Sequence, residues 1–130
     1  QDIFQVLQEV APQIAEHGTF NFCLSNGQAL WSYATTKLHW IVREYPFQHA
    51  HLIDLDVEVD FSEVTTPDDR VAVITTEPLT QNEQWTAFQA GEMILFQQGR
   101  PILHAMTEVQ RLIREAQDPS LRRVTKADLY

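Results

Sequence analysis

Basic side chains are scarce in this 130-residue chain, where 9 lysines and arginines stand against 18 acids and the formal net charge is −9. A surface of that sign repels a phosphate backbone, which argues against nucleic acid as a partner. The imbalance is not uniform. Arg111, Arg114, Arg122, Arg123 and Lys126 all follow residue 110, leaving four basic groups for everything before it. Cysteine occurs once, as Cys23, so no intramolecular disulfide can staple the fold. No apolar run approaches the roughly 20 residues that a membrane span needs, and no leader pattern is present. The expectation is therefore a cytoplasmic chain with no membrane partner. Glycine is equally sparse, at positions 18, 27, 91 and 99. Isolated glycines build turns and caps, not a phosphate-cradling loop, so no nucleotide cofactor is expected. Neither Ser25 nor Ser62 has the Gly-x-Ser-x-Gly setting of an activated serine.

What the chain does have is an ordinary globular composition, 44% hydrophobic and 21% charged. A chain of this length fits one domain and buries roughly two-thirds of its unfolded surface. Phe4, Leu7, Val10, Ala11 and Ile14 recur at helical spacing, which predicts an amphipathic helix over 2–17 with Asp2 as its cap and a bend or early stop at Pro12. Two β-rich runs, 19–25 and 28–35, flank Asn26-Gly27, the dipeptide suited to a type I′ hairpin turn. Lys37 to Glu44 reads as a further strand ended by Tyr45-Pro46-Phe47, with a loop through His49 and His51 after it. Ile53 to Phe61 alternates between apolar and acidic residues, the mark of a strand with one acidic face.

Thr65 to Asp69 reads as a turn, Arg70 to Thr76 as a buried strand, and 77–90 as irregular. Met93–Gln97 and Pro101–Ala105 form a hairpin around Gln98-Gly99-Arg100, and Thr107 with Gln110 resembles a capping box opening a helix to about Gln117. The expected architecture is α+β, antiparallel β-sheets with flanking helices, in a single domain over 1–117 followed by a polar tail, 118–130.

Several runs carry a family resemblance: Phe-Asn-Phe-Cys-Leu-Ser-Asn-Gly-Gln-Ala-Leu-Trp-Ser-Tyr from Phe20, Leu-His-Trp-Ile-Val-Arg from Leu38 and Asp-Val-Glu-Val-Asp-Phe from Asp56. Thr-Glu-Pro-Leu-Thr-Gln-Asn-Glu-Gln-Trp at 76–85 and Gly-Glu-Met-Ile-Leu-Phe at 91–96 continue it in order. Together these resemble the C-terminal part of class II glutamine amidotransferase-like proteins. The resemblance implies an αββα sandwich of the N-terminal-nucleophile hydrolase kind. It also implies a cysteine at the mature N-terminus as nucleophile, its own α-amine as base and an Asn-Gly backbone turn as oxyanion hole. Residue 1 is Gln, so the resemblance places the nucleophile in an upstream half and transfers no catalytic residue to this chain. Glutamine is then the substrate of the longer protein, that N-terminal half is a partner, and this half supplies sheet and pocket walls. Unpaired sheet edges make a homo-oligomer a further expectation. The competing reading is a stand-alone binding or dimerisation module without catalysis.

Each candidate constellation has a simpler reading beside it. His49, His51, Asp54, Asp56, Glu58 and Asp60 are good ligand types for a divalent ion. Acids on one strand face repeat about every 7 Å and cannot converge on one ion, so no metal site is expected. Cys23, within Phe-Asn-Phe-Cys-Leu, reads as a buried thiol and not a nucleophile. His39 has the ring for general-base work but no paired nucleophile in the sequence. Trp31, Trp40 and Trp85 read as core aromatics in preference to ligand platforms. Pro78 to Gly91, with Asn82, Glu83 and Trp85 and with Glu92 next to it, is a long irregular segment of the kind that carries function. No catalytic role is assigned within it.

Overall fold

In the computed structural model, which describes residues 2–47, 49–53, 58–60, 66–109, 117 and 120, one helix and nine strands are found. Helix α1 (Ile3–Ala15) is capped by Asp2, whose Oδ1 accepts the Phe4 N–H at 3.0 Å. The chain passes through Pro12 and stays helical for one more turn. Proline leaves the Gln8 carbonyl without its helical donor. The Gln13 side chain donates to the next carbonyl, that of Glu9, at 2.9 Å.

Strands β1 (Phe22–Ser25), β2 (Ala29–Ala34), β8 (Glu92–Gln97) and β9 (Arg100–Met106) form an antiparallel sheet in the order β1-β2-β8-β9. Strands β6 (Arg70–Thr75), β3 (His39–Glu44) and β7 (Thr86–Ala87) form a second, in the order β6-β3-β7. A short pair, β4 (His49–His51) and β5 (Glu58–Asp60), completes the set.

Period-two alternation sorts the four-stranded sheet into two faces. Trp31, Tyr33 and Met93 point to α1 and pack with Phe4, Ala11, Ala15 and Val109. Ala34, Ile94 and Phe96 point the other way and meet Leu38, Phe88, Trp40, Ala72 and Ile74 of the second sheet and its approaches. The order of layers is thus helix, sheet, sheet. Tyr33, Met93 and Ile94 are fully buried, and each such side chain contributes about 1.5–3 kcal/mol of transfer free energy. The rings of Trp40 and Phe96 meet edge to face across the sheets, 5.7 Å between centroids. The antiparallel α+β architecture expected from the sequence is the one observed.

Six local expectations need correction, the simplest being that Thr86–Ala87, inside the segment 77–90 expected to be irregular, is strand β7 paired with β3. The β1–β2 connection is not an Asn26-Gly27 type I′ turn, because that turn needs positive φ at both central residues. Gly27 has φ +89°, while Gln98 is the only non-glycine with positive φ among the described residues. Asn26 instead closes the turn with its side chain, its Oδ1 accepting the Gln28 and Ala29 amides at 2.9 Å each. The pair of positive φ values occurs at Gln98 (52°) and Gly99 (74°), between β8 and β9.

The loop expected through His49 and His51 is strand β4, whose backbone is paired by β5. Of the strand expected over Ile53–Phe61, Glu58–Asp60 is observed, and Ile53 stands in a turn with its N–H on the Leu79 carbonyl at 2.9 Å. Positions 54–57 and 61 lie outside the described residues.

Cys23 is exposed, not buried. It sits on edge strand β1, on the face opposite α1, with its Sγ 3.2 Å from Ser32 Oγ.

Thr107 does not open a helix, and 107–109 are irregular. Its N–H and its hydroxyl both donate to the Gly91 carbonyl, at 2.9 and 2.8 Å. The remainder of the helix expected to Gln117 lies outside the described residues, apart from Gln117 itself, which is helical.

Candidate functional site

The stretch between β6 and β7 is held down by a polar relay. On β3, Trp40 faces the other sheet, so alternation sends the Arg43 side chain out of the opposite face. There Arg43 Nε donates to Glu83 Oε2 at 2.8 Å and Nη2 to Oε1 at 2.7 Å, a two-pronged fork. Thr80, only 3% exposed, donates its hydroxyl proton to Glu83 Oε1 at 2.7 Å and accepts the Trp85 indole N–H at 2.9 Å. The backbone is tied at the same place, by a Leu52–Thr80 bridge and the Ile53–Leu79 hydrogen bond. At the far end of the segment, β7 pairs with β3 and Phe88 N–H donates to the Leu38 carbonyl at 2.8 Å.

The arginine fork holds the Glu83 carboxyl below the usual glutamate range, aided by the Thr80 hydroxyl and the Arg43 charge and opposed by burial. Both side chains of the pair are 12–15% exposed. The carboxylate therefore stays ionised and accepts three described hydrogen bonds, two at Oε1 and one at Oε2. Such a group is suited to anchoring a loop, whereas a base working near neutrality needs a raised pKa.

The remaining sequence candidates are dispersed. His39, at the start of β3, has its Nδ1 2.9 Å from the Thr76 carbonyl, and among the described residues no nucleophile is hydrogen-bonded to it. Cys23 and Ser25 lie on β1, where Ser25 Oγ accepts the Gly27 N–H at 3.1 Å. Ser62 lies outside the described residues. Trp31 is 6% exposed in the layer between α1 and the first sheet, Trp40 packs between the sheets, and Trp85 is hydrogen-bonded to Thr80. Glu92 accepts the Gln89 N–H at 2.9 Å and lies 3.2 Å from His104. The side chains of His49, His51 and Asp60 and positions 54 and 56 lie outside what the structure describes. Among the described residues no group of three His, Cys, Asp or Glu side chains is placed to hold a metal ion.

The Arg43–Glu83 fork spans 40 positions of sequence, and no local pattern announces it. Glu83 and Trp85 are visible in sequence as members of a polar irregular segment, while Arg43 has no signal beyond being a charge within a strand.

Comparison with known proteins places this geometry. Residues 1–120 match the family described as "Glutamine amidotransferases class-II". A Haemophilus influenzae protein named "Putative glutamine amidotransferase" is 45% identical over 101 residues, which is 78% of this chain and 34% of that protein. An Escherichia coli protein named "Putative glutamine amidotransferase YafJ" is 45% identical over 101 residues, covering 78% of this chain and 40% of that one. A solved structure described as a predicted glutamine amidotransferase from Pseudomonas aeruginosa superimposes with a TM-score of 0.61 at 41% identity, over 79% of this chain and 42% of that one. The chain thus spans well under half the length of these relatives. It belongs to the class II glutamine amidotransferase family.

Proposed function

We propose that this chain is the C-terminal portion of a glutamine-hydrolysing domain and serves it as scaffold and pocket wall. The observation that carries the reading is the family match over residues 1–120 in a chain whose described residues join no nucleophile to a base. In the longer protein, the thiolate of an N-terminal cysteine attacks the side-chain amide carbon of glutamine. The carbon–nitrogen bond breaks, and the nitrogen takes the proton held by the cysteine's own α-amine and leaves as ammonia. Water then hydrolyses the glutamyl thioester to glutamate and free thiol. Here the two sheets and the Arg43–Glu83 anchor give that chemistry a rigid floor, since a site is only as well placed as the shell behind it. No described helix is long and apolar enough to cross a membrane, and we place the protein in the cytoplasm. The test is to express the whole reading frame containing these residues and measure ammonia release from glutamine, before and after the N-terminal cysteine is changed to alanine. Release that survives the change rejects the mechanism.

A further inference from the structure

The tip of the β1–β2 hairpin joins an amide side chain to a backbone nitrogen that nothing shields. Three asparagines occur in the chain, Asn21, Asn26 and Asn82, and of these Asn26 alone precedes glycine. Closing an imide ring needs the backbone nitrogen of the following residue to reach the asparagine side-chain carbon, and a Cβ on that residue hinders the approach. Phe22 follows Asn21, and Glu83 follows Asn82. Gly27 brings no Cβ, and one built there meets nothing within 4 Å. Ser25 through Gln28 are all exposed, so water reaches both reacting atoms.

The hydrogen bonds of the turn favour the attack. Asn26 Oδ1 accepts the Gln28 and Ala29 amides at 2.9 Å each. Those donors draw electron density from the side-chain carbon and sit where negative charge grows on Oδ1 as the nitrogen adds, the arrangement of an oxyanion hole. The Gly27 N–H stands outside the β1–β2 ladder, whose register ends at Ser25–Leu30. It donates to the exposed Ser25 hydroxyl at 3.1 Å, an acceptor that water can replace. Asn21 Oδ1 also accepts two amides, those of Thr35 and Thr36, but its neighbour Phe22 lies in strand β1. Asn21 is thus an internal control for access of the nitrogen.

We propose that Asn26-Gly27 is a self-modification site, at which the chain exchanges an amide for a carboxylate with water as the co-reactant. The Gly27 nitrogen loses its proton to solvent and attacks Asn26 Cγ. The Cγ–Nδ2 bond breaks, and Nδ2 takes up a proton and leaves as ammonia, so a succinimide joins the two residues. Water then opens the ring. Breaking the nitrogen–Cγ bond restores the chain as aspartate, whereas breaking the bond to the backbone carbon leaves isoaspartate, with the chain running through Cγ. Aspartate keeps an acceptor for the Gln28 and Ala29 amides, now charge-assisted. Isoaspartate adds a backbone carbon to the turn that sets the hairpin. The conversion occurs once per chain and needs no glutamine, so it stands apart from glutamine hydrolysis by the longer protein.

The test holds the 130-residue chain in warm, mildly alkaline buffer and follows each asparagine by peptide mass and fragmentation, with Asn26→Asp as the standard for one product. Asn26 converts about tenfold or more faster than Asn21 and Asn82, and Gly27→Ala slows conversion at 26 by a similar factor. Isoaspartate among the products reports the imide. Aspartate alone means direct hydrolysis and overturns the proposal, as do equal rates at the three asparagines or a rate at 26 that Gly27→Ala leaves unchanged. Conversion at Asn26 seen only after urea unfolds the chain overturns it too, because the folded turn then protects the amide. The comparison of the three asparagines within the parent chain decides the matter if Gly27→Ala disturbs the hairpin.

Discussion

The guanidinium of Arg43 and the carboxylate of Glu83 meet in a two-pronged fork, at 2.7 and 2.8 Å, that fixes the stretch between β6 and β7 to the outer face of the second sheet. Removing Arg43 takes two of the three described donors from the largely covered Glu83 carboxylate and leaves it the Thr80 hydroxyl. Arg43→Met is therefore expected to destabilise the fold by about 3 kcal/mol. Glu83→Gln, which keeps one acceptor for the fork, costs less. Urea unfolding midpoints of the two variants check the order.

The same pair predicts a pH dependence. The Glu83 carboxyl is held below its ordinary value, so its contribution is fully present above the unfolded-state pKa and is lost as pH falls through the lower folded-state value. Between neutrality and about pH 5 the stability gap between the parent and Glu83→Gln is constant. Below that it narrows. Denaturant titrations at a series of pH values read the gap directly, and a gap that widens with acid contradicts the assignment.

Asn21 joins the start of β1 to the end of β2. Its Oδ1 accepts the Thr35 and Thr36 amides at 2.8 and 3.2 Å, and its Nδ2 donates to Thr36 Oγ1 at 2.8 Å. Asn21→Ala leaves two amides without acceptors and is expected to cost about 2 kcal/mol. Hydrogen exchange at Thr35 and Thr36 should accelerate more than at the Leu30–Phe96 pairing on the next ladder.

Gly91 and Gly27 both have positive φ, 88° and 89°, yet they differ in surroundings. A Cβ at 91 meets the Thr107 carbonyl oxygen at 2.5 Å, whereas at 27 it meets open space. Gly27→Ala carries only the backbone cost, about 1 kcal/mol. Gly91→Ala costs more, because it also pushes away Thr107, whose hydroxyl already donates to Gly91 and so accepts from Tyr33. Thermal midpoints of the two variants should fall in that order.

Much of this fold is legible from residue pattern alone. Period two separates Trp31 and Tyr33 from Leu30 and Ser32 within 29–34, and Met93 from Ile94 within 92–97, without tertiary information, while the Tyr33–Met93 register decides which sets share a face. The β8–β9 hairpin is legible for the same reason. Asn26-Gly27 misleads because Asn has two ways to make a turn, by adopting positive φ or by accepting amides with its side chain, and local sequence does not choose between them. His49–His51 escapes because a three-residue strand is made by its partner, not by its own propensity. Cys23 escapes because its apolar neighbours suggest a core while its strand turns out to be an edge. The Arg43–Glu83 fork is invisible for want of any sequence separation rule that links strand β3 to a loop 40 residues on. The family, by contrast, is legible in the ordered runs from Phe20 to Phe96.

The most direct measurement of the central claim is ammonia production from glutamine by two proteins side by side, the 130-residue chain and the product of its whole reading frame. The account predicts release by the long protein and none by the short chain. Ammonia released by the short chain contradicts it, since the nucleophile would then lie among these residues.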